Sequence, residues 1–526
     1  MNYRVTVIAE QQRGTVQFTP GASLRDILNT SELRTRSACR GNGACGLCRV
    51  RLLSGTLSPP SQVEEIHIEA ADLVAGVRLA CQLHPDCDMT IELLNPATPS
   101  NWRSLPVQEH RPAFPLRLHD RNAGRYGVAV DLGTTHISIA LSDLISGELL
   151  ATRYGPNPQD RYSSDILSRL QAASEEEASA LELQQLVVEA IGEALMDISV
   201  REGRSLYDIS RVEVVGNSAM LALLAGDNYR QLLDPASWTR PISCRSADNE
   251  LWYESCNLDP GTQIDLVQPL AGFVGSDLAA GLVHSHLLQE AGPSLFIDFG
   301  TNSEIALWDG NQLLVTSAAG GPAFEGMGIA CGMAAEAGAI YEVIDREGRL
   351  DHRVLGNGKA KGICGSGLID LTAILLEQNA IDPLGRLLDA PEGRHRLTGT
   401  AFWISKPDLD LLQRAKAAIG AGCCALLERA GVASEQLQQL LVAGAFGRYL
   451  DPQHAMALGL LPTIPIERVQ LVGNTALAGC QDLLLSDAAW QALVVIRNRL
   501  ELLNLSMLPR FETLYMENLY LRPQER

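Results

Sequence analysis

The chain has 526 residues, long enough for two or three domains with full cores, and its 46% hydrophobic content is that of an ordinary globular protein. Sixty-two acidic against 42 basic residues give a net charge of −20, which opposes nucleic-acid binding and suits a partner with a basic face. No apolar run approaches the ~18 residues of a membrane span, the N-terminus MNYRVTVIAEQQRG alternates like a strand and lacks the marks of a signal peptide, and 12 cysteines are too sparse for a disulfide scaffold, so a cytoplasmic protein off the membrane is expected.

In chain order, YRVTVI (3–8) and RGTVQF (13–18) read as strands, and PGASLRDILN starts a helix with Ser23 as its N-cap. Cys39, Cys45 and Cys48 follow at C-x5-C-x2-C, and Cys81 in RLACQ comes after 32 intervening residues. That spacing is close to the plant-type C-x4-C-x2-C…C pattern, in which two thiolates hold each iron of a [2Fe–2S] cluster. Gly41, Gly43 and Gly46 alternate with the ligands because the loop must fold around sulfur with unusual φ values. The formal G-x-G-x-x-G of this loop opens no helix after a strand and encloses Cys45, so a dinucleotide site is discarded. An all-thiolate zinc site is the alternative. Such sites pair C-x2-4-C knuckles at both ends, whereas the second half here is a single cysteine, and the spacing favours the cluster. CRVRLLSG and DMTIELL (88–94) supply further strands, and residues 1–95 resemble the β-grasp of ferredoxins.

Residues 96–124 are rich in proline and lack periodicity, which predicts a semi-extended linker. It either lets the first domain swing or is pinned to a neighbour by Trp102, Phe114 and Leu116; the sequence leaves both open.

From Arg125 onward, short Val/Ile-rich strands alternate with long helical stretches such as EEEASALELQQLVVEAIGEALMDI and DLDLLQRAKAAIGAGCCALLERAG, the pattern of α/β layers. VAVDLGTTHISIAL and LFIDFGTNSEIAL echo each other, with Asp131 and Asp298 separated by 167 positions, and so predict a duplicated half-domain: lobes 125–292 and 293–526. Each echo reads as a hairpin. Gly133 and Gly300 let its turn approach a ligand, while Thr134, Thr135, Thr301 and Asn302 offer donors to phosphate oxygens. Asp131 and Asp298 are placed to orient a hydrated Mg²⁺. No G-x-x-x-x-G-K-[ST] occurs, so the site is not a P-loop. Asn217 and Asn474, each in a VGN turn, read as structural asparagines. GICGSG (362–367) is either an anion-binding helix start or a tight turn with Cys364 buried. The remaining cysteines, Cys423 and Cys424 included, read as small buried side chains.

Paired D-x-G-T turns resemble the superfamily of acetate and sugar kinases, actin and the ATP-driven heat-shock chaperones, whose fold is a duplicated actin-like, ribonuclease H-like ATPase. LVAGAFGRYL (441–450) is similar to that superfamily's adenosine-binding glycine turn, which implies that Gly444 and Gly447 back a purine, although AGAFG stands where AGGFG is more usual. VVGNSAMLALLAG, PLAGFVGSDLAAG, SAAGGPAFEGMGIACGM, GICGSGLIDL and LVGNTALAGC resemble the reductive activators of corrinoid proteins, which join a [2Fe–2S] domain to this ATPase core. The resemblance implies cofactors ([2Fe–2S] cluster, ATP, Mg²⁺), a corrinoid protein of a methyltransferase system as partner, an upstream low-potential electron donor, and transfer of one electron to Co(II) to restore Co(I). It also admits a homodimer through the ATPase half. Each ~100 mV of potential mismatch costs about 2.3 kcal/mol for one electron, which gives an ATPase a reason to be there. An ATP-dependent electron donor to another low-potential enzyme and a small-molecule kinase with a fused redox-sensing ferredoxin are the alternatives.

Overall fold

The computed structural model describes residues 3–524 except 10, 11, 19, 30, 32, 34, 36–42, 44, 45, 57, 97–101, 105–112, 119–123, 164, 246–248, 301, 337, 356, 357, 389, 391, 392 and 445. Of the expected site residues, Cys39, Cys45 and Thr301 lie outside the described residues, as does Gly41.

The N-terminal unit is a β-grasp. β1 (Tyr3–Ala9) and β2 (Gln12–Phe18) form a hairpin, α1 (Leu24–Asn29) follows, and β3 (Arg49–Ser54), the short helices α2 (Gln62–His67) and α3 (Ala70–Val74), β4 (Val77–Leu79) and β5 (Met89–Leu93) complete it. The sheet order is β2-β1-β5-β3-β4, with β1 and β5 parallel. Alternate residues of β1 and β5, Val5, Val7, Met89 and Ile91 among them, point into the core with Leu24, Leu28 and Leu79. Ser23 caps α1 through its hydroxyl, which accepts from Asp26 N at 3.2 Å.

A buried ion pair fixes the strand that leads to Cys81. Arg78 Nη2 and Nε reach Glu64 Oε2 and Oε1 at 2.7 and 2.9 Å, both side chains being almost fully buried. Glu64 Oε1 also accepts from Leu79 N at 3.0 Å, and its other oxygen closes a capping box with Ser61. Burial opposes ionisation of Glu64, but the Arg78 hydrogen bond, the Ser61 and Leu79 amides and the Arg78 charge outweigh it and hold its carboxyl below the ordinary value.

The rest of the chain is two lobes of matching topology. The first sheet, order β10-β9-β6-β7-β8, comprises β6 (Tyr126–Leu132), β7 (His136–Asp143), β8 (Leu149–Pro156), β9 (Ile209–Gly216) and β10 (Gln263–Leu266). Helices α4 (Ile166–Glu175), α5 (Glu177–Glu202), α6 (Ser218–Ala225), α7 (Asn249–Cys256) and α8 (Ser276–His284) belong to this part of the chain. The second sheet, order β20-β19-β11-β12-β13-β21, repeats the arrangement. Its strands are β11 (Ser294–Asp298), β12 (Ser303–Trp308), β13 (Leu313–Ala318), β19 (Gln439–Ala443), β20 (Val469–Gly473) and β21 (Leu500–Leu502). Between them in sequence lie a three-stranded sheet of β14 (Ala339–Arg346), β15 (Arg349–Val354) and β16 (Gly362–Ile363) and a ribbon of β17 (Arg394–Arg396) and β18 (Trp403–Ser405). The helices of this half are α9 (Gly365–Glu377), α10 (Lys406–Ala430), α11 (Pro452–Ala457), α12 (Thr475–Leu485), α13 (Asp487–Arg499) and α14 (Phe511–Glu517). In both lobes the first strand pairs antiparallel with the second and parallel with a later one: β6 with β7 and β9, β11 with β12 and β19.

α8 and α12 pack against each other in the core shared by the two sheets, beside Ala129, Val215, Phe296, Ala306 and Leu441. Their backbones approach closely: a Cβ on Gly479 would stand 1.9 Å from Ala280 O, and one on Gly281 would stand 2.9 Å from Thr475 Oγ1. Sheltered on both faces, β6 and β11 are apolar almost throughout, as the sequence of a two-sided core requires.

The described parts of the linker are docked. Trp102 is buried over Gly155, and Arg103 exchanges backbone hydrogen bonds with Tyr154, 2.9 Å each way. Phe114 packs against the shared core and the His286 ring, Ala113 N donates to Asp482 Oδ1 and Arg117 N to Leu485 O. Of the three residues expected to pin it, Trp102 and Phe114 do so, whereas Leu116 is exposed.

Because Glu64 titrates lower in the native state than in the unfolded chain, its stabilisation is present above the ordinary glutamate value of 4.5 and is lost as pH falls through its native value. Glu64→Gln leaves Arg78 buried without its carboxylate and should lower the opening free energy of the Leu79 and Ala80 amides by about 3–5 kcal/mol, read by hydrogen exchange at neutral pH. Unchanged protection at those amides would contradict the assigned role of the pair.

Candidate functional site

Cys48 and Cys81 are both buried, and the Cys48 thiol hydrogen-bonds to Cys81. That bond, opposed by burial and assisted by Gln82 Nε2 at 3.5 Å and by the charge of Arg25, brings Cys81 down to about 6. A thiolate is the form that ligates iron, so the described half of the cysteine set has the right chemistry for a cluster. The loop has the expected backbone: Gly43 and Gly46 have φ of 87° and 61°, and a Cβ on either would collide with Val63 or His67.

The second site forms where the lobes meet. Asp131, at the end of β6, accepts from Asn474 Nδ2 at 3.1 Å, a contact that crosses from the first sheet to the cap of α12. Asp298 ends β11 and stands directly opposite Glu304 in the β11–β12 register. Asp277 lies in the first turn of α8, its carboxylate accepting from Leu278 N at 2.8 Å. The four act on one another electrostatically. Burial pushes Asp131 up to about 6 against the Asn474 hydrogen bond; burial and then Asp131 push Asp277 to about 7. Burial, then Asp277 and Asp131, push Asp298 to about 8, and burial, then Asp277 and Asp298, raise Glu304 well above the carboxylate range. Like charges facing each other across a ladder are destabilising. The donor set is all oxygen, and burial makes its ionisation costly until a counter-charge arrives, which is what a hard divalent cation supplies.

The turns are braced from behind. Gly133 N donates to His136 O, Asn157 Nδ2 donates to Gly133 O at 2.9 Å, and the Thr135 carbonyl accepts from Asn157 N. Thr134 is buried, its hydroxyl taking 3.0 Å from Asn217 Nδ2 and its carbonyl 2.8 Å from the buried Arg169. In the second turn Gly300 O accepts from the Ser303 hydroxyl at 3.4 Å, and Asn302 is half-buried. Gly444 has φ 91°, and a Cβ there would come 2.3 Å from Phe299 O and 3.0 Å from Asp298 Oδ1, so the glycine turn lies against the second acidic turn. Phe446 packs on Phe299 and Phe324, ring centroids 5.0 and 4.9 Å apart, and ties the two turns together. Gly447 is buried, and a Cβ on it would meet Val442 Cγ1 at 2.9 Å; packing on its own strand accounts for the missing side chain.

Three families match along the chain: the 2Fe-2S iron-sulfur cluster binding domain over residues 7–86, the RACo middle region over 126–290, and the C-terminal domain of RACo, the ASKHA domain, over 292–526. The corrinoid activation enzyme RamQ of Eubacterium limosum is 32% identical over 75% of this chain and 70% of its own length. The chain belongs to the reductive activators of corrinoid proteins. The [Co(II) methylated amine-specific corrinoid protein] reductase of Methanosarcina barkeri is 29% identical over 71% of this chain and 73% of its length. A solved structure titled reductive activator for corrinoid, iron-sulfur protein superimposes with a TM-score of 0.67 at 24% identity, covering 99% of this chain and 98% of that one, and so shares the fold.

As a member of this family the chain carries an iron–sulfur domain and an ASKHA domain. Sequence reasoning missed Asp277, Glu304, Asn157 and Arg169. Asp277 lay in the stretch PLAGFVGSDLAAG, and Glu304 was visible as the acid of the second echo where the first has Ile137. Asn217 and Asn474 are helix caps, as their turns suggested, and in addition reach Thr134 and Asp131. GICGSG runs from β16 into the start of α9, with Cys364 buried at its N-cap, Gly365 beneath Phe324 O and Ser366 Oγ donating to Tyr341 O, so it is a helix start and is closely packed. Cys423 and Cys424 are buried in α10.

Asp277→Asn removes the buried acid that raises the cost of ionising both Asp298 and Glu304. It should leave thermal stability in metal-free buffer at pH 8 at or above the parent's while lowering ATP turnover by ~10²-fold or more. Loss of stability with turnover intact would contradict the electrostatic account.

Proposed function

We propose that the chain is an ATP-dependent reductive activator that passes one electron from a [2Fe–2S] cluster to the inactive Co(II) corrinoid of a methyltransferase partner, restoring Co(I). The observation that carries this reading is the acidic site built from both lobes in a chain that also holds a buried thiol pair: Asp131 and Asp277 come from one half, Asp298 and Glu304 from the other. A nucleotide bound there must bridge the lobes, and binding shifts a conformational equilibrium by its differential affinity for the two states.

When bound, a plant-type cluster supplies a one-electron carrier near roughly −400 mV. Cys48 and Cys81, with Cys39 and Cys45, supply its four thiolates. In the ATPase half, Asp131 and Asp298, with Asp277 and Glu304 beside them, orient a hydrated Mg²⁺ on the nucleotide. Thr134, Thr135, Thr301 and Asn302 donate to phosphate oxygens, and Gly444 leaves the space a purine needs, Gly447 holding the turn to its strand. The Asn474 contact joins Asp131 to α12, so a cation taken up at Asp131 acts on the helix that spans both sheets. Residues 1–95 then form the electron-carrying domain, 96–124 the linker, and 125–292 and 293–526 the two lobes. An upstream low-potential donor recharges the cluster, and the cytoplasm, where thiols stay reduced, is the compartment this chemistry requires.

The test is to mix the anaerobically reduced chain with candidate corrinoid proteins in the Co(II) state, with and without ATP, and to follow the Co(I) absorption band. Asp298→Ala should keep its iron content and lose the ATP-dependent Co(I) signal. An unchanged Co(I) yield would remove Asp298 from the mechanism, and a colourless parent containing zinc alone would overturn the electron-transfer reading.

A further inference from the structure

One side chain of the ferredoxin domain ties the helix packed on the Cys81 turn to the first ATPase lobe. Arg25 sits in α1, and α1 packs on the turn Ala80–Gln82 that carries Cys81; Leu24 N donates to Leu83 O at 2.7 Å. The Arg25 side chain is buried. Its Nη2 donates to Val200 O at 2.9 Å, in the last turn of α5, where carbonyls have no intrahelical donor and the helix dipole favours a cation. Nη1 stands 3.5 Å from Asp26 Oδ1. Nε is buried and has no hydrogen-bond partner among the described residues, a donor costly to leave unmet.

We propose that Arg25 is the positioning residue that joins the cluster site to the ATPase lobe: one arm holds the ferredoxin domain to the end of α5, while the charge and the remaining donor stay buried on the helix packed against the turn that carries Cys81. The inference rests on the proposed function in requiring a cluster at the four cysteines. α5 packs on β7 and β8 of the sheet whose β6 ends in Asp131, so a shift of the first lobe reaches Val200 and changes where the Arg25 charge stands relative to the sulfur ligands. Charge and hydrogen bonds near the sulfurs are the protein's means of setting a cluster's potential. Arg25 therefore lets the lobe position be felt at the cluster without any group transfer of its own.

The experiment compares the full-length, iron-loaded parent with Arg25→Gln and Arg25→Lys, without nucleotide or corrinoid partner. The midpoint potential is read by EPR-monitored redox titration, and docking by hydrogen exchange over residues 198–203. In Arg25→Gln the potential should move to a more negative value, because a positive charge that favours the reduced cluster is gone. Exchange over 198–203 should accelerate by roughly tenfold or more, as expected for one hydrogen bond from a charged group. Arg25→Lys keeps the charge and should return the potential toward the parent's. If Arg25→Gln fails to load iron, the Lys variant and the exchange measurement still decide: unchanged exchange in both variants overturns the proposal. So does a potential unchanged by the Gln substitution, or a shift in only one of the two readouts. A parent chain with no reducible cluster would instead overturn the functional reading on which the inference stands.

Discussion

The close approach of α8 and α12 is the constraint on which the ATPase half depends. Ala280 O would lie 1.9 Å from any Cβ at Gly479, so the two helix backbones can meet only because that position carries hydrogen. Their contact fills the space between the two sheets, and their N-termini deliver Asp277 and the Asn474 cap to the point where β6 and β11 end. Spread those helices by the width of a side chain and the carboxylates no longer share a site. The acidic cluster is thus a product of helix packing as much as of the Asp-x-Gly-Thr turns.

Such a cluster is unfavourable by itself. Asp298 and Glu304 oppose each other across a ladder, and the described hydrogen bonds from Asn474, Leu278 and Ser317 engage only part of the set. The fold holds these acids together because buried apolar strands on either side fix the backbone. The described linker residues contact both lobes. Arg103 pairs with the Tyr154 backbone in the first lobe and its guanidinium reaches Glu336 in the second at 2.6 Å, while Ala113 is bonded to Asp482 in α12.

Much of this was legible in the sequence because local chemistry dictated it. The strands of the first domain and the two Asp-x-Gly-Thr echoes depend on patterns within a few residues, and those strands appear at 3–9, 12–18, 49–54 and 89–93, within a residue or two of the expectation. What the sequence concealed depends on long-range packing. Asp277 belongs to no motif and joins the site because α8 packs on β9 and α12, and Glu304 faces Asp298 because the second turn is one residue tighter in register than the first, where Asp131 opposes Ser138. Arg169 is a helix residue of no motif; burial beneath the Thr134 carbonyl gives it a role. Gly447 belongs to a recognisable turn, yet its neighbour in space is Val442. The linker was ambiguous because docking depends on the surface it meets, and Gly155 beneath Trp102 is 53 positions away in sequence.

The central claim is that ATP binding and hydrolysis in the two-lobed site make the cluster's electron available to Co(II). The most direct measurement is anaerobic stopped-flow spectroscopy of the pre-reduced chain with a Co(II) corrinoid protein, recording cluster oxidation and Co(I) formation together. One Co(I) should form for each cluster oxidised, with both signals rising at the same rate and only when ATP is present. Co(I) formation without cluster oxidation, or equal rates and yields without ATP, would contradict it.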